Sequence, residues 1–278
     1  MAEVRPQDIL LRIGGRTLHR YGVLAVSGAS RGRIEDLKET FTRPAQVRRY
    51  RDRDGIGRKA GADTVAIEYP SILSGLVDQF GFPYCGPLLE GARTQLVTQP
   101  ENFAHADWIQ NGTPTLTPGQ SDPFGGTTAY TLTDNDITQT ENINTVVAFT
   151  ADATKVVLIF MRNGLTNPTY FGLWDNTALV WRHRVDVTWS GGVPTLATGV
   201  GSGTLFPVAS YGNNWWMLAA SVNNVVAANN NRFYIAATAD AVGGTGSVDI
   251  FGANAWNAPF ASSYQGPGES AGVADSLT

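Results

Sequence analysis

Apolar and polar positions along this chain alternate with a period of two far more often than they recur at helical spacing. Residues 184–189 are the clearest case: Val185, Val187 and Trp189 fall on one face, and Arg184, Asp186 and Thr188 on the other. Successive strand side chains point to opposite sides, so this pattern predicts a strand with one face buried. Residues 145–149, 155–161, 169–174, 178–181, 214–222, 232–237 and 247–251 are β-branched or aromatic runs that also predict strands. Turn signals separate them at Asn163 and Gly164, Asp175 and Asn176, Gly191 and Gly192, Tyr211 to Asn214, and Gly243 and Gly244. Glycine, asparagine and aspartate tolerate the positive φ that tight turns require. Short strands broken by frequent turns predict an all-β fold, a β-sandwich or jelly roll, over a parallel α/β sheet. A repeat of about 40 residues, the mark of a propeller, is absent.

Upstream the pattern is less regular. Residues 9–13 and 18–26 predict two short strands around Gly14 and Gly15. Within 30–41, Ile34, Leu37 and Phe41 recur at three- and four-residue spacing and predict one short helix, which Pro44 ends. Residues 45–69 predict a hairpin turning at Asp54 and Gly55, followed by an alternating stretch of Val65, Ile67 and Tyr69. Residues 70–87 carry four breakers (Gly75, Gly81, Pro83, Gly86) and read as a connector. The expected organisation is therefore a small, mostly β attachment segment and connector over 1–95, a β-sandwich over 96–268, and a flexible tail over 269–278.

Composition adds constraints. Hydrophobic residues make up 42% of the 278, enough for a sizeable core. Charged residues reach only 16%, against about 25% in ordinary soluble domains. The single cysteine, Cys85, rules out an intrachain disulfide and a C-x-x-C metal knuckle. No apolar run approaches 18 residues, and residues 1–6 lack the apolar stretch of a signal peptide. The expectation is a chain made in the cytoplasm with no membrane insertion.

The net charge of −4 hides an asymmetry. Residues 1–60 hold 14 of the 20 basic side chains and 7 acids, net +7, whereas residues 61–278 are net −11. A basic segment on an acidic body points to a negative partner, though a plain solvated segment fits the same charge equally well. The candidate docking residues are Arg43, Arg48, Arg49, Arg51, Arg53, Arg58 and Lys59. Asp52 and Asp54 interrupt the cluster and no nucleic-acid module surrounds it, so an acidic protein neighbour is favoured over nucleic acid.

Several strings in this order resemble a known group. Residues 86–96 read GPLLEGARTQL, 100–103 PENF, 122–127 DPFGGT, 211–216 YGNNWW, 252–256 GANAW and 260–264 FASSY. Together with Phe41 to Pro44 and Asp52 to Gly55, they are similar to bacteriophage virion proteins in which such a junction precedes a jelly-roll domain of the carbohydrate-binding-module type. Gln95 stands where that group usually has Asn, and Asn254 where it usually has Gln. The resemblance implies a structural subunit of a phage or phage-derived particle, located in a tail, fibre, spike or head-decoration position. It implies virion partners, a symmetric homo-oligomer (a trimer for a fibre or spike) and possible contact with host-surface polysaccharide.

The candidate chemistry is sparse. Sugars stack on exposed aromatic faces, and Trp174, Trp215, Trp216 and Trp256 are the candidate contact aromatics, with core or subunit packing as the competing reading. Trp181 and Trp189 alternate with polar residues and read as core. In the Trp215–Trp216 pair, neighbouring positions point to opposite faces, which predicts one core and one exposed or interface side chain. Asp134, Asp136 and Glu141 offer hard oxygens for calcium, but their spacing fits no calcium loop and favours a turn with solvated carboxylates. His183 between Arg182 and Arg184 is a local basic spot for an anionic partner, or a solvated strand end. No metal site or cofactor is expected. No nucleophile elbow occurs, and nothing points to the paired carboxylates of a glycosidase. The expectation is a non-enzymatic protein, with a dedicated glycan-binding module and a polysaccharide hydrolase as alternatives.

Overall fold

The computed structural model describes residues 95–165, 169–238, 244–258 and 264–267, and eight short strands outside them. The chain divides into two units, one of residues 1–93 with 271–278 and one of residues 94–270. In the first, β1 (Leu10–Ile13) pairs antiparallel with β2 (Arg16–His19). Strand β4 (Arg48–Arg51) pairs with β5 (Gly57–Ala60) across the Asp54–Gly55 turn signal. Strand β6 (Ile67–Glu68) pairs with β7 (Gly86–Pro87), and β3 (Phe41–Thr42) with β20 (Ser276–Leu277). The helix expected over 30–41 lies outside the described residues apart from Phe41, which opens β3. Among the described residues there is no helix.

The second unit is a β-sandwich of two six-stranded antiparallel sheets. Its strands are β8 (Trp108–Asn111), β9 (Thr115–Gln120), β10 (Ala129–Asp134), β11 (Asn142–Val146), β12 (Ala153–Leu165), β13 (Thr169–Asp175), β14 (Val180–Ser190), β15 (Val193–Gly201), β16 (Ala209–Ser210), β17 (Trp216–Val225), β18 (Asn231–Ala236) and β19 (Gly246–Trp256). The first sheet has the order β16-β17-β12-β19-β10-β9, and the second β15-β14-β13-β18-β11-β8.

The two sheets share one core. Val157, Ile159 and Met161 of β12 and Leu218 and Ala220 of β17 meet Phe171 and Leu173 of β13, Val185 and Val187 of β14, and Phe233 and Ile235 of β18. A second apolar cluster lies on the other side of the first sheet. It takes Val156, Leu158 and Phe160 of β12 and Phe251 and Trp256 of β19, with Tyr211, Trp215 and Tyr264 packed over them. The first sheet is thus buried on both faces, which is why β12 reads as an unbroken apolar run. The second sheet is buried on one face, which is why β14 alternates.

Two expectations need correction. The runs at 178–181 and 184–189 are one strand, β14, because a register shift opposite Leu173 and Trp174 absorbs the break in alternation. Asn163 and Gly164 do not turn the chain. They lie within β12, where the register shifts between Asn163 and Leu165. Strands β8, β9, β10 and β15 lack a β-branched run strong enough to announce them.

Candidate functional site

The motif residues of the sequence build a clasp over the first sheet. Asp122 is buried, and its carboxylate accepts the N–H groups of Phe124 (2.8 Å) and Gly126 (3.0 Å) and the hydroxyl of Thr128 (3.2 Å). A side chain at Gly126 would collide with that carboxylate. The loop so held delivers Phe124 to Phe160, Tyr211, Phe251 and Tyr264, with ring centres 5.6–6.0 Å away. Further along, Gln265 N–H donates to Asn254 Oδ1 (2.9 Å) and Asn254 Nδ2 donates to the Gln265 carbonyl (3.0 Å). Gln95 Oε1 accepts from Val97 N–H (2.6 Å), and Gln95 Nε2 donates to the carbonyls of Val97 (2.7 Å) and Ala253 (3.2 Å).

This clasp decides the fate of three candidate contact aromatics. Trp215 and Trp216 do point to opposite faces of the first sheet, but both are buried, at 0% and 6% exposure, because both faces are covered. Trp256 is 1% exposed. The indole N–H groups donate to the Ser121 carbonyl, the Gly192 carbonyl and Gln265 Oε1 respectively. These three rings leave no face for a ligand. Trp174 alone of the four candidates keeps part of its surface in solvent.

Trp174 belongs to the outer face of the second sheet, where strand register lays out three rows. One row runs Asp186, Tyr170, Ala236, Asn142, Asn111 across β14, β13, β18, β11 and β8. The middle row runs Arg184, Gly172, Tyr234, Asn144, Ile109 over the same strands. The third runs Trp181, Trp174, Arg232, Val146 from β14 to β11. Trp181 is therefore an outer-face residue, and of the two tryptophans read as core only Trp189 packs against the core.

The Trp181 ring centre lies 5.6 Å from Tyr170, 5.4 Å from Trp174 and 5.4 Å from Tyr234, edge to face in each case. Tyr170 and Trp174 flank Gly172 along β13, and Tyr234 is its partner on β18. Gly172, between Tyr170 and Trp174 on β13, puts no side chain of its own among these rings. A Cβ at Gly172 would also run into the backbone of His183 and Arg184. The result is a continuous aromatic surface spanning three strands, edged by arginines and asparagines.

Charge on this face is arranged in pairs. Arg184 Nε lies 2.9 Å from Asp186 Oδ1, and its guanidinium sits 5.3 Å above the Tyr170 ring. Burial under this group pushes the Tyr170 phenol well above its ordinary value, while the Arg184 charge opposes that shift. Arg182 Nε donates to Asp175 Oδ2 (3.0 Å). Burial would raise the Asp175 carboxyl, but bonds from Ala178 N–H, Asn229, Arg182 and Thr177 N–H hold it below the usual carboxylate range. The basic spot at 182–184 is thereby neutralised. His183 is buried between the sheets, with Nδ1 2.6 Å from the Ser221 carbonyl and Nε2 3.1 Å from the Thr198 hydroxyl. It is neither an anion contact nor a solvated strand end.

The acidic cluster is structural as well. Asp134 and Glu141 are buried, and their oxygens take protein donors: Thr238 Oγ (2.6 Å) and Glu141 N–H (3.2 Å) for Asp134, and Thr113 and Asn135 N–H (2.8 and 2.9 Å) for Glu141. Asp136 is half-exposed, donates its N–H to Asp134 Oδ1 (3.3 Å), and has a carboxyl held below its ordinary value chiefly by the Thr138 hydroxyl. Among the described residues no three metal-ligating side chains converge. Of the docking candidates, Arg48, Arg49 and Arg51 lie on β4 and Arg58 and Lys59 on β5, with Arg49 opposite Lys59. Arg43 and Arg53 lie outside the described residues.

No family model matches the chain, and no curated protein matches it. Among solved structures it is similar to the enzymatically active domain of bacteriophage CBA120 tailspike protein 4, at 13% identity over 58% of this chain and 21% of that one, TM-score 0.35. It is also similar to the N-terminal CBM22-1–GH10 modules of Clostridium thermocellum endo-1,4-beta-D-xylanase 10B (12% identity, 63% and 30% covered, TM-score 0.35). The mannan-recognising carbohydrate-binding module TmCBM27 is a third (13% identity, 61% and 96% covered, TM-score 0.32). The chain spans less than a third of the length of the first two. Among the described residues no helix is long and apolar enough to cross a membrane.

Proposed function

We propose that this chain is a non-enzymatic structural subunit of a phage-type particle, and that its sandwich holds a surface polysaccharide on the outer face of the second sheet. The observation that carries the binding reading is the surface formed by Trp174, Trp181 and Tyr234, half-buried side chains from three strands with asparagine and arginine at its margin. Aromatic rings accept the apolar C–H face of a sugar, a guanidinium donates to its hydroxyls, and the solvent-facing amide of Asn230 beside Arg232 can donate and accept. Binding is favoured over hydrolysis by the acid count on this face. Its outward strand positions carry one carboxylate, Asp186, tied to Arg184, whereas hydrolysis of a glycosidic bond calls for two. Placement on a particle is supported by the ordered motif series. In that placement the strands β4 and β5, with five of the basic candidates, dock on an acidic virion partner.

The binding reading is tested by applying the full chain and its W174A variant to an array of bacterial surface polysaccharides. The expected result is retention of the wild type on at least one polymer and loss of about tenfold or more in W174A, since truncation of a ring-stacking side chain removes most of its contact. Equal binding by the variant would move the site off this face.

A further inference from the structure

The charge inventory of the sandwich points to the kind of sugar, and the inference rests on the polysaccharide reading above. The unit spanning 94–270 holds five basic side chains against twelve acidic ones. With acids in such excess, each cation has its choice of carboxylate, and four of the five are so placed. Arg162 pairs with Asp249 (2.9 Å), Arg182 with Asp175, and Arg184 with Asp186. Lys155 is buried within the field of Asp152.

Arg232 is the exception. Among the described residues it meets no carboxylate. Its Nη1 donates to Asn144 Oδ1 at 3.4 Å and its Nε to Asn230 Oδ1 at 3.5 Å, both long bonds to neutral amides. It stands beside Trp174 in the third row, between the aromatic surface and Val146 on the edge side. A guanidinium is a planar fork of donors shaped to take a carboxylate at two points. An unneutralised fork next to a ring that stacks a sugar is placed to take an acid group carried by that sugar.

We infer that the polysaccharide is acidic, a polymer bearing uronic-acid-type carboxylates, with Arg232 as the residue that reads the carboxylate while the aromatic surface carries the ring. The remaining fields act in the same sense. The sandwich is strongly acidic outside this point, so an acidic polymer is repelled from the rest of the surface and held in register at Arg232.

The test uses the full chain and a panel of immobilised uronic-acid polymers (alginate, polygalacturonate, hyaluronan and acidic bacterial capsules), each beside its carboxyl-reduced neutral counterpart and a sulfated neutral glucan. The expected result is binding to at least one uronic polymer, about tenfold or more weaker on its reduced counterpart, and weakened by added salt. Arg232→Gln should erase the difference between the two forms, and Arg232→Lys should keep part of it because charge survives without the fork. Circular dichroism and thermal midpoints of the variants establish that they are folded. Equal binding to the acidic and reduced forms, a preference that survives in R232Q, or binding confined to the sulfated polymer would overturn the carboxylate inference and leave glycan binding standing. No binding to any acidic or neutral polymer would overturn both readings.

Discussion

At the scale of single residues, the polar groups buried in this protein act as fasteners. Asp122 is the strongest case, since one carboxylate holds three backbone or hydroxyl donors of its own loop. Asp122→Ala leaves the N–H groups of Phe124 and Gly126 in a half-buried loop without their acceptor. A cost of about 2–3 kcal/mol is expected, read as a lower urea midpoint with unchanged slope. His183 carries a pH dependence. Burial is the main cause that holds it below its ordinary value of 6.5, only partly opposed by its bond to the Ser221 carbonyl. The folded chain therefore resists a proton that the unfolded chain accepts. The stability tied to His183 is whole above 6.5 and declines as pH falls from there toward the lower folded value. The thermal midpoint should drop between about pH 7 and pH 5, and H183Q should flatten that part of the curve. A wild-type profile flat over this range would contradict the buried placement.

Among the elements, the middle of β13 is the most exacting. Gly172 lies against the backbone of His183 and Arg184. Gly172→Ala should push β13 from β14, shift the tryptophan emission and cost about 1–3 kcal/mol, in the range of overpacked positions. The same substitution should weaken the proposed polysaccharide binding, because the aromatic surface is assembled across the β13–β14 pairing. The clasp makes a parallel prediction. Asn254→Ala removes the two-way pairing with Gln265 and should raise amide exchange at Gln265 while leaving the β13–β18 ladder protected. Loss of protection throughout would mean that the clasp and the sandwich unfold as one.

For the whole molecule, the two sheets have unlike duties. The first is sealed on both faces by strands and by the 121–128, 206–215 and 264–265 stretches, and serves as the rigid centre. The second leaves its outer face half-exposed, and the proposed polysaccharide contact is assigned to that face. A particle subunit on a symmetric attachment site is itself expected to be symmetric, so sedimentation equilibrium of the full chain should give a closed homo-oligomer, a trimer for a fibre or spike. A monomer at all concentrations would count against the particle placement. Reversal of Arg48, Arg49, Arg51, Arg58 and Lys59 to Glu should abolish docking on particles while leaving glycan binding unchanged, since these residues lie in the other unit.

Much of the architecture is written in local patterns. The alternation of 184–189 announces a strand with one buried face, and the apolar run of 156–161 announces a strand. Periodicity reports burial on each side of a strand, and that information is local. The turn chemistry of Gly191 and Gly192, both at positive φ, is equally local. What lay beyond the sequence is which segments cover what. Trp215, just before β17, and Trp216, its first residue, point to opposite sides, yet both are buried, because the cover over Trp215 comes from residues about a hundred positions upstream. Nor does spacing along the chain bring Trp174, Trp181, Arg232 and Tyr234 together. Strand order and register do so, and a shift of one residue would send each of these side chains into the core. Local patterning along the chain is enough to announce an all-β sandwich or jelly roll. That one sheet keeps an open face, that the face is aromatic, and that Arg232 meets no carboxylate among the described residues all follow from the fold, because long-range pairing alone sets which side chains become neighbours.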